Sequence, residues 1–211
     1  MPTPVVPGSE PSPAPGARRP LKAPNAPAEP EEHPPIDEEE GEEEGQFLSA
    51  PHDAPGQRVA VLVDIQDMYH AAKRLHSRPL AYAKVLDAVV RDRTLIRAVA
   101  YVIDRDGVDQ QGFVDHLRHS GFLVRRKPIY ERPDGFRKAS WEVGIAVEAL
   151  QCAAKCDVIV LVTGDPDFSP LVEEITTRGA LCEIACFPEV AAHPLLAKAD
   201  FVNVLGREHL Y

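Results

Sequence analysis

Two stretches decide the fold. Residues 58–64 read Arg-Val-Ala-Val-Leu-Val-Asp, and residues 157–165 read Asp-Val-Ile-Val-Leu-Val-Thr-Gly-Asp. Each holds an unbroken apolar run that leads to an aspartate. A strand with one wet face alternates apolar and polar side chains. A run without alternation is the pattern of a strand covered on both faces, as in a parallel sheet between helical layers.

Working outward, the pattern predicts further strands at Leu95–Ile103, Phe122–Arg126 and Leu181–Cys186, with Phe201–Val204 as a candidate edge strand. Helical spacing recurs over about Asp67–Leu75, Ala81–Arg91, Val108–His119, Trp141–Ala154, Pro170–Arg178 and His193–Ala199. Within the 141–154 helix, Val143, Ala146, Val147 and Leu150 are spaced for burial. Two prolines and Asp134-Gly135 predict a loop or hairpin over Lys127–Arg137. Strands and helices alternate throughout. The expected fold is therefore α/β: a three-layer sandwich with a mainly parallel five-stranded sheet and helices on both faces. In such sheets ligands bind beyond the carboxyl ends of the strands, where the strand order reverses.

The 211-residue chain is uneven in composition. Residues 1–57 hold 14 of the 21 prolines, with 12 Asp/Glu against 3 Lys/Arg, a balance of −9. Residues 58–211 hold 21 Asp/Glu and 20 Lys/Arg, a balance of −1. The formal charge of −10 is thus almost wholly charge on the first 57 residues. Such a segment buries too little apolar surface to offset its ordering entropy. Residues 1–57 are expected to be a disordered, Pro-rich and acidic tail, and 58–211 one folded domain. The tail's roles are solubility, docking of a protein partner, or a polyanion that masks a basic surface. It has no basic stretch followed by an apolar one, so no signal peptide is expected. No apolar run is long enough to span a bilayer. A soluble, cytoplasmic protein is expected. Cys152 and Cys156 lie one turn apart on a predicted helix, and Cys182 and Cys186 share one face of a predicted strand. Their spacing suits small core side chains better than a structural zinc site.

The acids at the strand ends carry the chemistry. Asp64 and Asp67 follow the first strand, and Asp165 and Asp167 follow the fourth. Glu142 opens the helix that leads into the fourth strand, and Glu148 lies six residues further on. Two carboxylates about 4 Å apart repel by roughly 4 kcal/mol at an effective dielectric near 20. A cation removes that repulsion, and all-oxygen ligands suit Mg²⁺ or Mn²⁺. Capping of a helix N-terminus is the plainer role open to Asp67 and Asp167. A solvated helix face is the plainer role for Glu148.

Three motifs give a resemblance. Val63-Asp-Ile-Gln-Asp-Met-Tyr69, Lys138-Ala-Ser-Trp-Glu-Val-Gly-Ile-Ala-Val-Glu148 and Thr163-Gly-Asp-Pro-Asp-Phe168 occur in the order found in NYN domains. They resemble the LabA-like branch of the PIN-like nuclease superfamily over about residues 58–205. The resemblance implies a PIN-like Rossmannoid fold and metal-dependent cleavage of RNA. It implies metal-site roles for Asp64, Glu142, Asp165 and Asp167. It implies that Lys138 and Thr163 hold the site or contact a phosphate. The chain departs from the family in Asp67, where Asn is usual, and in Glu142 and Glu148, where Asp is usual. Glu reaches one methylene further, which shifts the geometry available to an ion.

Arg125, Arg126, Lys127, Arg132, Arg137 and Lys138 crowd together after the third strand, with Tyr130 and Phe136 among them. Cations beside an acidic metal site suit an RNA backbone, and the rings suit stacking on unpaired bases. Solvated loop charges are the alternative. Three functions follow. The first is a Mg²⁺- or Mn²⁺-dependent ribonuclease, the second an RNA-binding or regulatory module that retains the fold without catalysis. The third, a phosphatase-like enzyme, is disfavoured by the lack of a Gly-rich phosphate loop.

Overall fold

The computed structural model describes residues 55–105, 107–131 and 137–211, within the unit Gly45–Tyr211. The expectation of a disordered tail falls on residues that, save for 55–57, lie outside the described ones. The elements in chain order are β1 (Arg58–Asp64), α1 (Ile65–His76), α2 (Tyr82–Val90), β2 (Thr94–Asp104), α3 (Gln111–His119), β3 (Leu123–Pro128), β4 (Tyr130–Glu131) and β5 (Arg137–Lys138). There follow α4 (Glu142–Ala153), β6 (Val158–Val162), α5 (Ser169–Thr177), β7 (Leu181–Cys186), α6 (His193–Leu196) and β8 (Phe201–Val204).

Six strands form one sheet in the order β3-β2-β1-β6-β7-β8, and every pairing is parallel. The sheet has one strand more than the five expected, because the candidate edge strand pairs with β7. β4 and β5 form a separate antiparallel pair. β3 runs two residues further than expected, so Lys127 and Pro128 belong to a strand and not to the following loop.

The unbroken apolar runs have the predicted cause. Val59, Val61 and Val63 face a core closed by α1, α2 and α3. Ala60 and Leu62 face a second core closed by α4, α5 and α6. β1 and β6 are central strands sealed on both sides, so neither face has a place for polar residues. All four cysteines are buried in the second core, where they pack as small apolar side chains.

The buried face of α4 is partly the expected one: Ala146 and Leu150 pack, half-buried, against the second core, but the two valines do not. Val143 is 77% exposed and Val147 52% exposed, while Ile145, Glu148, Ala149 and Cys152 turn inward. Small Ala and Cys side chains let the helix lie close to the sheet. An acid joins that face because it meets donors there: Glu148 accepts from Arg97 (2.7 Å), Tyr101 (2.8 Å) and Arg125 (3.2 Å). The solvated position expected for Glu148 is therefore corrected.

The chain leaves β1 toward β2 and β3, then returns to the other side of β1 with β6. The strand order thus reverses between β1 and β6, and their carboxyl ends open a crevice there.

Candidate active site

Asp64 ends β1 and caps α1. Its Oδ1 accepts from the backbone N–H groups of Gln66 (3.0 Å) and Asp67 (3.1 Å). Both bonds fall on one oxygen, and no donor among the described residues bonds the other. Asp165 plays the same part after β6. It caps the short 3-10 helix Pro166–Phe168 by accepting from the Asp167 N–H at 2.9 Å. The capping role open to Asp67 and Asp167 in the sequence thus falls instead on Asp64 and Asp165.

Asp67 joins the two strand ends. From the first turn of α1 its Oδ2 accepts from the Gly164 N–H (2.7 Å) and the Thr163 hydroxyl (2.9 Å). Thr163 Oγ1 accepts in turn from the Asp165 N–H at 3.1 Å. Thr163 is buried, and this chain of bonds sets the spacing between the loop after β1 and the loop after β6.

Asp64, Asp67, Asp165 and Glu142 line one cavity of about 230 Å³. Glu142 arrives from the first turn of α4, whose start is held by Trp141. The Trp141 indole N–H donates to the Val102 carbonyl at 3.0 Å, and its ring packs on Tyr101. A Cβ at Gly144 would come within 2.6 Å of that ring, so glycine is needed for Trp141 to fold across the helix. Asp167 is exposed and is not in the cavity wall, although its charge acts on Asp165.

The electrostatics follow from burial, and no cation among the described residues pairs with Asp64 or Asp165. Burial raises the Asp64 carboxyl to about 6, against the two capping N–H bonds, and the charges of Asp67 and Asp165 push the same way. Asp165 is also raised, by burial first and then by the charges of Asp167, Asp67 and Glu142, with the Asp167 N–H opposing. Among the described residues, no three His, Cys, Asp or Glu side chains stand close enough to hold an ion between them. The donor set still fits a divalent cation in its chemistry: all oxygen, desolvated, and mutually repulsive.

The other expected residues are dispersed. Glu148 is held by Arg97, Arg125 and Tyr101 and does not line the cavity. Arg125 is engaged there, while Arg126 pairs with Asp104 (2.9 Å) and Gln111 (3.3 Å). Lys127 lies over the Trp141 ring, 4.5 Å from its centroid, and so stands beside the cavity. Strand alternation separates Arg126 from its two neighbours, so these three do not form one basic wall. Arg132 and Phe136 lie outside the described residues, as do the side chains of Tyr130, Arg137 and Lys138. Gln66, His70 and Trp141 line the cavity and were missed in the sequence. Gln66 and His70 follow Asp64 at helical spacing, i and i+4, which was the available signal.

A parallel α/β sandwich with uncompensated acids at its switch point is the class this geometry defines. The family model for the NYN domain matches residues 58–205, and the chain belongs to that family. It is similar to the low amplitude and bright protein LabA of Synechococcus elongatus, at 28% identity over 129 residues, 57% of this chain and 69% of that protein. It is also similar to the crystal structure of a protein of unknown function from Vibrio parahaemolyticus. That likeness has 30% identity and a TM-score of 0.70, covering 74% of this chain and 98% of the other. The LabA-like resemblance read from the three motifs is borne out.

Proposed function

We propose that residues 58–211 form a divalent-metal-dependent ribonuclease domain acting on RNA in the cytoplasm, with 1–57 as a separate tail. The observation that carries the reading is the convergence of Asp64, Asp165 and Glu142 from three elements on one cavity, where no cation among the described residues pairs with Asp64 or Asp165. These residues would hold Mg²⁺ or Mn²⁺, with Asp167 at the rim. An ion bound there supplies charge to polarise a phosphodiester and to make water nucleophilic near neutral pH. The chain's own contribution is placement. Asp67 and Thr163 set the two loops, and the capping bonds orient Asp64 and Asp165. Lys127 supplies positive charge beside the cavity for a phosphate, with Lys138 as a further candidate from the motif.

A second reading is an RNA-binding module of the same fold without catalysis. It is favoured by Glu142 in place of the family's Asp and by the spread of the acids. Incubating the chain with single-stranded and structured RNA, in Mn²⁺ or Mg²⁺ against EDTA, separates the two. Cleavage lost in EDTA, in Asp64→Asn and in Asp165→Asn supports the nuclease. RNA binding without cleavage in either metal refutes it and supports the module.

A further inference from the structure

A second, larger cavity of about 410 Å³ adjoins the acidic one. The two share Gln66 and Ile103 in their walls, so they lie side by side. The second is aromatic. Tyr69 comes from α1, Tyr82 from α2, Phe113 from α3 and Tyr211 from the last residue. Tyr82 and Phe113 meet edge to face with centroids 6.0 Å apart. The Arg105 guanidinium lies over the Tyr69 ring, 4.7 Å from its centroid, and the Lys73 ammonium stands 5.8 Å from the same ring. The polar groups of the wall are few. Asp109 is engaged by the Gln111 N–H, and Gln110 Oε1 by the Arg105 N–H.

An apolar concavity of this size with a few polar groups at its edge suits a small, flat ligand. Position and charge choose which one. The cavity adjoins the acidic one, Arg105 stands in its wall, and Lys73 is a second cation near the Tyr69 ring. We propose that it takes one unstacked nucleobase of the RNA strand, adjacent to the phosphodiester held at the Asp64–Asp165 edge. The inference rests on the ribonuclease reading and names the subsite next to it. The rings offer stacking surface that does not depend on base identity. Arg105 on Tyr69 adds a planar cation able to stack on a base and meet a phosphate.

The test uses the full chain in EDTA, titrated with AMP, UMP and ribose 5-phosphate by equilibrium dialysis. AMP and UMP should bind about tenfold more tightly than ribose 5-phosphate, the size of one stacked base. Phe113→Ala should abolish most of that preference. Tyr69→Leu, at a half-exposed position, should do the same and serves if the first variant does not fold. Equal binding of the three compounds by the wild type overturns the proposal. So does a preference retained in every folded variant. An apolar dye that binds the cavity and is displaced by neither nucleotide marks a protein-docking surface and also overturns it. A parallel arm moves one abasic ribose along a single-stranded RNA and measures cleavage in Mn²⁺. Cleavage indifferent to the abasic position refutes the base subsite alone. Absent cleavage with nucleotide preference intact refutes the nuclease alone.

Discussion

Two groups of acids in this molecule are treated in opposite ways. Glu148 and Glu183 are buried against arginines. Burial works to raise Glu148, yet the hydrogen bonds from Arg125, Tyr101 and Arg97 outweigh it and hold the carboxyl below its ordinary value. Glu183 pairs with Arg93 at 2.6 Å, with both side chains 1% exposed, and Asn203 donates to its second oxygen at 2.9 Å. Asp64 and Asp165 are desolvated too, but their neighbours are other acids, and both carboxyls rise. Compensated acids hold elements together. Uncompensated ones carry strain that a ligand can relieve, which makes them candidates for a functional site. Glu142 and Glu148 make the contrast within one helix. Six residues apart, one faces the acidic cavity and the other is tied into the fold.

The contrast can be broken experimentally. The largest effect is expected at the fully buried pair. Arg93→Leu leaves Glu183 charged and without its guanidinium, and should lower unfolding stability by about 3–5 kcal/mol in urea denaturation. A loss near zero would show that the pair is not structural. Next in size, Asp64→Asn and Asp165→Asn should each lower RNA cleavage roughly a hundredfold or more while leaving far-UV circular dichroism unchanged, since a tenfold rate change is about 1.4 kcal/mol. Full activity in either variant removes that acid from the site.

Glu148→Ala should cost less, about 1–3 kcal/mol. Arg97 and Arg125 are 41% and 49% exposed, so water takes over much of their solvation, and the buried Tyr101 hydroxyl is the main group left without a partner. The comparison predicts that folded Glu148→Ala still cleaves RNA, and loss of cleavage without loss of stability would move Glu148 into the site.

The smallest effect has the opposite sign. The Asp64 carboxyl is raised to about 6 in the folded state, so the native chain binds the extra proton between roughly pH 4 and 6. Ionising it therefore costs stability, fully above that window and not at all below it. Asn also caps helices, so in EDTA Asp64→Asn should be more stable than wild type by about 1–2 kcal/mol near pH 8, converging near pH 4. Thermal midpoints at the two pH values check this, and a destabilised variant at pH 8 would show that the acid is not strained.

Much of the fold was legible because its signals are local. The β1 and β6 runs read as doubly buried strands, since no alternation is compatible with two covered faces, and β7 and the edge strand β8 fell on their predicted residues. The α4 face was misread because valine size suggested burial, while the true face depends on Arg97 and Arg125, from strands far away in sequence. The acids at the strand ends were legible for the same topological reason as the strands. The roles within them were not, because capping bonds depend on where each loop turns.

By itself, the sequence determined that the chain is a parallel α/β sandwich whose acids gather at the carboxyl ends of β1 and β6. Periodicity and strand-end position are properties of adjacent residues, readable without coordinates. Only the tertiary structure decided which acids are uncompensated. That depends on whether a cation from another element reaches each carboxylate: arginines reach Glu148 and Glu183, while among the described residues Asp64 and Asp165 share their cavity with Asp67 and Glu142.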